Sequence, residues 1–229
     1  MGITRRLLIA GAATVLAVVP GRRPTAEPPA ATAEAAAATP AENEWRPLVE
    51  AADLGDWKPS DYGGGAAEAA DGVIRIPMGA DLNGITWTGE FPQEDYEIEL
   101  EARRVDGNDF FCGLTFPVGA DSCSFIVGGW GGGIVGLSCI DGDDAAHTPT
   151  SIVRAFKTGR WYAVKVRVTA ERIECFLDGE RVVDQPRAGY TISIRESVAP
   201  SLPLGIATYA TVAELRGIRW RPVVGAERP

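Results

Sequence analysis

Three glutamates at alternate positions, Glu97, Glu99 and Glu101, stand in the run Tyr96–Arg103 (YEIELEAR). An extended chain sends residues i, i+2 and i+4 to one side. The three carboxylates therefore leave one strand face, and Tyr96, Ile98, Leu100 and Ala102 leave the other. Paired carboxylates on a sheet face suit acid–base cleavage of glycosidic bonds. Three like charges in a row also raise at least one carboxyl pKa if the face is partly buried. The same alternation equally describes a solvated sheet face, with Arg103 and its neighbours offsetting the charge. In the following segment, a core-facing Phe110 and Cys112 put Asp109 and Phe111 on the non-core side, beside the glutamate row. A carboxylate with an aromatic ring suits a sugar, which stacks an apolar face and hydrogen-bonds through its hydroxyls. Glu99 and Asp109 are thus the candidate bases. Trp87, Glu97, Glu101, Phe111 and Trp130 are the candidate binding side chains. Trp130 lies among the glycines of Gly128–Gly133, where its indole either stands exposed or plugs one end of the fold.

Asp141, Asp143 and Asp144 cluster in the loop Asp141-Gly142-Asp143-Asp144. Hard oxygen ligands at this density suit Ca²⁺ or another divalent metal, although the spacing is not that of an EF-hand loop. An ordinary turn is the competing reading. The single histidine, His147, follows in the same polar stretch. One histidine excludes a His-rich zinc site and leaves His147 as the sole imidazole for any triad. The Gly128–Gly133 run lacks a following Lys-Ser/Thr and an expected helix start, so it is not a phosphate cradle.

These residues must be positioned by a chain of 229 residues with 27 Gly, 16 Pro, 4 Cys and a net charge of -9. The acidic balance and the absence of a basic stripe interleaved with aromatics argue against a nucleic-acid partner. Residues 1–21 have a basic head and the apolar run LLIAGAATVLAVV, the layout of a signal peptide or signal anchor. That run is too short for a comfortable membrane span. Thr4-Arg5-Arg6-Leu7-Leu8 partly resembles a twin-arginine export signal. Residues 22–43 are Pro- and Ala-rich and read as a disordered linker. Residues 44–224 are then the folded domain, and 225–229 a tail. The expectation is export to the periplasm or beyond, with tethering by an uncleaved signal as an alternative, and a monomer. Residues 1–42 carry four Arg and three Glu, so the remainder has a net charge of -10.

Within the domain, short apolar alternations are broken by turn residues at sandwich-like intervals. Strands are expected around 72–77, 85–88, 96–103, 110–116, 122–127, 134–140, 161–169, 173–177, 181–184, 190–194, 204–208 and 215–221. No segment keeps a helical period over ten residues. An all-β, two-sheet antiparallel β-sandwich follows. A hairpin centred on Pro117 and Val118 sets Cys112 opposite Cys123. A turn centred near Gly131 sets Cys123 opposite Cys139. Export would permit a Cys112–Cys123 disulfide; small buried hydrophobes are the other reading.

The stretch Trp161–Asp184 (WYAVKVRVTAERIECFLDGERVVD) resembles laminin-G-like and concanavalin A-like jelly rolls. Phe110–Gly133 (FFCGLTFPVGADSCSFIVGGWGGG), Val135–Gly142 (VGLSCIDG) and Leu204–Arg221 (LGIATYATVAELRGIRWR) together resemble the 3-keto-disaccharide hydrolase domain family, over roughly residues 50–222. The resemblance implies a jelly roll acting on carbohydrate. A ketone at C3 acidifies the C2 proton, so a carboxylate base, with a metal on the enolate, would open the glycosidic bond. A non-catalytic sugar-binding or adhesion module, with Trp130 and Phe111 as platforms, and a structural envelope domain are the alternatives.

Overall fold

The alternation in Tyr96–Arg103 folds as expected, and the strand it belongs to is the spine of one sheet. The structure is a computed structural model that describes residues 43–49 and 53–223. The expected export segment 1–21, the linker up to residue 42 and the tail 225–229 lie outside the described residues. The strands, in chain order, are β1 (Arg46–Pro47), β2 (Trp57–Pro59), β3 (Glu68–Ala70), β4 (Val73–Ile76) and β5 (Leu82–Trp87). There follow β6 (Tyr96–Gly107), β7 (Cys112–Val118), β8 (Asp121–Gly129), β9 (Ile134–Ser138) and β10 (Ile152–Val153). The last are β11 (Tyr162–Val168), β12 (Arg172–Leu177), β13 (Glu180–Pro186), β14 (Gly205–Tyr209) and β15 (Thr211–Pro222). A 3-10 helix, Glu196–Ser201, precedes β14.

Two antiparallel sheets result. The first runs β13-β12-β11-β6-β15-β4-β3, with β1 added on β15; the second runs β10-β9-β8-β7-β14-β5-β2. Their facing sides make the core. Tyr96, Ile98, Leu100, Val164, Val166 and Leu215 come from the first sheet, and Leu114, Phe116, Phe125, Leu137 and Ile206 from the second; all are buried. Each such side chain contributes ~1.5–3 kcal/mol on leaving water. The two-sheet antiparallel sandwich read from the sequence is the observed fold. The strand expected at 190–194 is reduced to an isolated bridge, Ile140 with Ile192. β1, β2, β3 and β10 are too short, at two or three residues, to show a period.

The outer face of the first sheet carries the glutamate row, and each glutamate meets an arginine of β15. Glu97 lies opposite Arg221, Glu99 opposite Arg219 and Glu101 opposite Arg216. A β-bulge between Arg216 and Arg219, containing Gly217 at φ 63°, keeps both arginines on the same face although they are three residues apart. The arginine Nε atoms donate to the three carboxylates at 2.9, 2.8 and 2.8 Å. Trp45 lies 4.9 and 4.5 Å beneath the guanidinium carbons of Arg219 and Arg221. Trp161 lies 4.5 and 4.2 Å beneath those of Arg103 and Arg216. The glutamates are thus members of an ion-pair and cation–π lattice, without the mutual repulsion expected of bare neighbours.

The cysteine pairing is corrected. The turn joining β7 to β8 is Gly119-Ala120, later than the Pro117–Val118 centre. Cys112 therefore faces Val127, and Cys123 faces Phe116. All four cysteines are free and buried, so Cys112–Cys123 is not a disulfide. The centre near Gly131 matches the observed register, which pairs Ser124 with Ser138. Burial pushes the Cys112 and Cys123 thiols up to about 12. Folded protein at pH 8 is expected to resist a thiol-alkylating reagent at all four positions, and unfolded protein to react at all four. Mass spectrometry after each treatment checks this; alkylation of Cys112 or Cys123 in the folded state would contradict the burial.

Candidate functional site

The outer face of the second sheet is built from small residues. Gly113 and Thr115 of β7, Ser124 of β8, Gly136 and Ser138 of β9 and Gly205 of β14 alternate with the core-facing side chains. Two covering segments lie against this face because glycine leaves room. A Cβ on Gly136 would stand 2.9 Å from the Ala145 carbonyl oxygen, and one on Gly205 would stand 2.6 Å from that of Ser201. The loop between β9 and β10 thus rests at one side and the 3-10 helix at the other. A cleft of about 410 Å³ remains, floored by Ser124, Ile126 and Ser138. Ligand sites of small proteins are concave pockets of this order, ~300–1,000 Å³.

One end of the sheet supplies the rim. The start of β5, the end of β14, the approach to β7 and the end of β8 meet there, bringing Asp81, Tyr209, Asp109, Phe110 and Trp130 around the cleft. Backbone bonds fix the set: Tyr209 N–H donates to the Phe110 carbonyl at 3.1 Å, and Ala210 N–H to that of Asp81 at 2.9 Å. Beneath them runs Arg104 of β6, only 6% exposed. Its Nη2 donates to the carbonyls of Asp109, Gly128 and Gly132 at 3.0, 3.3 and 3.2 Å, and so ties both rim loops to the first sheet. Burial pulls the Arg104 pKa down, with the charge of Asp109 opposing it.

The structure brings Asp109 and Trp130 together at the cleft on the second sheet, away from the glutamate row beside which Asp109 was expected, and Asp109 has a different occupation from that of a free base. Its Oδ1 accepts the Phe110 N–H at 2.7 Å, and its Oδ2 accepts the Gly131 N–H at 2.8 Å. It therefore pins the turn that carries Trp130. Trp130 adopts a left-handed backbone, φ 50°, and is 41% exposed over the cleft. A side-chain-bearing residue takes that conformation at a cost of ~1–2 kcal/mol.

The other sequence candidates lie elsewhere. Phe111 is fully buried against Phe156 and Tyr162, and Phe110 lines the cleft in its place. The expected alternation fails because residues 108–111 are not strand; β7 begins at Cys112. Trp87 packs edge-on to Trp57, with ring centroids 5.4 Å apart, at the rim of the core. Glu97, Glu99 and Glu101 are on the opposite sheet, paired to arginine. Asp141 Oδ1 accepts the Thr191 N–H at 2.7 Å, and Asp144 Oδ1 accepts the Ala146 N–H at 3.0 Å. Among the described residues no three His, Cys, Asp or Glu side chains converge as a metal-holding group, so Asp141, Asp143 and Asp144 do not fit the expected ligand set.

Sequence reasoning missed Asp81, Tyr209 and Arg195. Tyr209 O–H donates to Asp81 Oδ1 at 3.1 Å. Among the described residues this is the hydrogen bond made by the Asp81 carboxylate, and it engages one of the two oxygens of a side chain that lines the cleft. Arg195 lines the cleft from the segment before the 3-10 helix. The available signal was the run of Gly, Ser and Thr on the non-core parity of β7, β8 and β9, which marks a face covered closely by something else.

The profile of the 3-keto-alpha-glucoside-1,2-lyase-like domain matches residues 44–221. No curated protein matches the chain. Among solved structures, a Bacillus subtilis protein with a galectin-like fold superposes with a TM-score of 0.55 at 10% identity, over 79% of this chain and 95% of its own. An endo-acting O-glycanase of the human gut microbiota superposes with a TM-score of 0.53 at 11% identity, over 80% of this chain and 99% of its own. The transglycosylase Crh5 gives a TM-score of 0.53 at 12% identity, over 80% and 84%. At such identities the likeness is one of fold.

The Asp81 carboxylate, through its hydrogen bond and then its charge, holds the Tyr209 phenol protonated above the ordinary tyrosine range; burial and the charge of Asp109 add to this. Asp81→Asn removes the charge, so Tyr209 is expected to ionise at lower pH in that variant. Phenolate absorbance, with Tyr209→Phe variants as blanks, measures the shift; an unchanged titration would sink the pairing.

Proposed function

The chain belongs to the 3-keto-alpha-glucoside-1,2-lyase-like domain family, and we propose that it is an exported carbohydrate-active domain whose cleft binds a 3-keto-glycoside and eliminates across C1 and C2. The observation that carries the reading is the composition of the rim. An exposed indole, two further aromatic rings, a carboxylate with an uncommitted oxygen and a guanidinium surround a floor of two serines and an isoleucine. Aromatic faces stack on the apolar side of a pyranose, and carboxylates and hydroxyls bind its equatorial oxygens.

The chemistry follows from the ketone. A carbonyl at C3 acidifies the C2 proton, and one base suffices to remove it. Asp81 is the residue placed to act as that base, because Asp109 gives both oxygens to backbone amides. Loss of the proton leaves the electron pair in a C3 enolate. The enolate then collapses to the ketone, a C1=C2 double bond forms and the C1–O bond breaks. The departing oxygen takes a proton from water at the open mouth. Asp109 serves as a positioning residue for Trp130.

A non-catalytic sugar-binding module is the second reading. One observation favours it: with Asp109 occupied, the cleft lacks the two free carboxylates that glycoside hydrolysis ordinarily employs.

One assay separates the two. The purified chain is mixed with 3-keto-glycosides and their parent glycosides, and the conjugated ketone and released alcohol are followed. Elimination predicts product from the keto forms alone. Asp81→Asn is expected to lower kcat by ~100-fold or more. Trp130→Ala is expected to weaken sugar binding about tenfold, ~1.4 kcal/mol. Glu99→Gln should leave turnover unchanged. Saturable binding with no product would establish the module instead.

A further inference from the structure

Arg195 is, among the described residues, the one cation that lines the cleft, against two carboxylates, Asp81 and Asp109. Its side chain is 51% exposed and is paired with one carboxylate, Asp144. Nη1 donates to Asp144 Oδ2 at 3.3 Å. The other oxygen of Asp144 is occupied by the Ala146 N–H and by His147 Nδ1, at 3.0 and 2.7 Å. The backbone leading to Arg195 is anchored too. Cys139 and Ser193 exchange N–H···O bonds of 2.7 and 3.1 Å, and Asp141 N–H donates to the Thr191 carbonyl at 2.8 Å. Thr191 N–H returns a bond to Asp141 Oδ1 at 2.7 Å. The acidic loop that looked like a cation site is thus the mount for a cationic side chain.

An exposed Arg–Asp pair of this kind adds little to stability, ~0–1 kcal/mol. A guanidinium has five N–H donors in a planar fork, and one contact to Asp144 leaves the rest of the fork for a ligand. We infer that Arg195 is the electrophile of the cleft. It would hydrogen-bond the C3 ketone oxygen and hold the negative charge that gathers there as the C2 proton passes to Asp81, with Asp144 as its positioning residue. This rests on the elimination reading above. The electron pair of the C2–H bond moves to the C3 oxygen beside Arg195. It returns as the C1–O bond breaks, and the departing oxygen is protonated by water. A fixed donor aimed at developing charge is the arrangement whose loss costs most in acyl and enolate chemistry, ~10²–10³ in rate per donor.

The test uses the full chain and a 3-keto-glycoside that the wild type converts. Arg195→Gln and Arg195→Ala are expected to lower kcat by ~10²–10³-fold with KM changed by no more than a few-fold. Binding of the parent glycoside, which lacks the ketone, should remain within about twofold, since no charge develops there. Free guanidinium ion should restore part of the Arg195→Ala rate, which a merely structural role would not allow. Asp144→Asn should lower kcat by a smaller factor, about tenfold. A wild-type rate in Arg195→Gln, or equal loss of parent-glycoside binding, overturns the assignment while elimination stands. Absence of any wild-type conversion overturns both.

Discussion

Arg104 carries a charge from the first sheet into the seam beneath the second, where three carbonyls from two different loops converge on one of its nitrogens. Those loops, around Asp109 and Gly128–Gly133, lie outside the regular ladder, so their carbonyls need partners from elsewhere. A buried cation that must find acceptors supplies those partners, since an unpaired charge there would cost several kcal/mol. The guanidinium also lies 5.3 Å from the Phe111 ring centroid, so the ring that sequence placed at the site is the packing partner of the clamp. Once the carbonyl of Asp109 is held, its carboxylate is left to cap the turn of Trp130. The strained backbone of Trp130 is tolerable because both flanks of that turn are tied down.

The two outer faces of the sandwich solve different problems with the same strand geometry. On the first sheet, long charged side chains stand opposite one another across β6 and β15 and are laid over Trp45 and Trp161. The lattice covers its own face and leaves its carboxylates occupied. On the second sheet, glycine, serine and threonine hold the surface low, so the loop after β9 and the 3-10 helix can approach to backbone contact. Those two segments leave a gap between them, and the gap is the cleft. Small side chains on the second sheet are therefore what allows the cleft between those two segments.

Much of the fold was legible because β6, β11 and β12 alternate cleanly over a common core, and a period of two leaves only one face for the apolar set. Register was legible where glycines crowd a turn, as near Gly131, and illegible where a proline draws attention from the true turn at Gly119-Ala120. The site was less legible for two physical reasons. Residues 108–111 leave the strand, so parity counted through them exchanges Phe110 and Phe111. The remaining partners meet only through topology. Tyr209 bonds Asp81 across 128 residues of sequence, and Arg195 bonds Asp144 across 51. No motif spans such distances, whereas Glu97, Glu99 and Glu101 advertise themselves within five residues and are then consumed by arginines 115 to 124 residues away.

The distribution of charge also bears on which reaction a cleft of this kind can support. Hydrolysis by two carboxylates demands that one deliver a proton while the other attacks or activates water, so both must be free and set apart by a fixed distance. Here one of the two cleft carboxylates is bound at both oxygens by backbone amides, and loosening it would release Trp130. Elimination next to a ketone makes a smaller demand: one base, and one donor for the oxygen that becomes negative. Asp81 and Arg195 are of opposite charge, arise from separate segments and are each held by a single side-chain partner. In the proposed elimination they would act as base and donor without competing with the bonds that keep the rim in place.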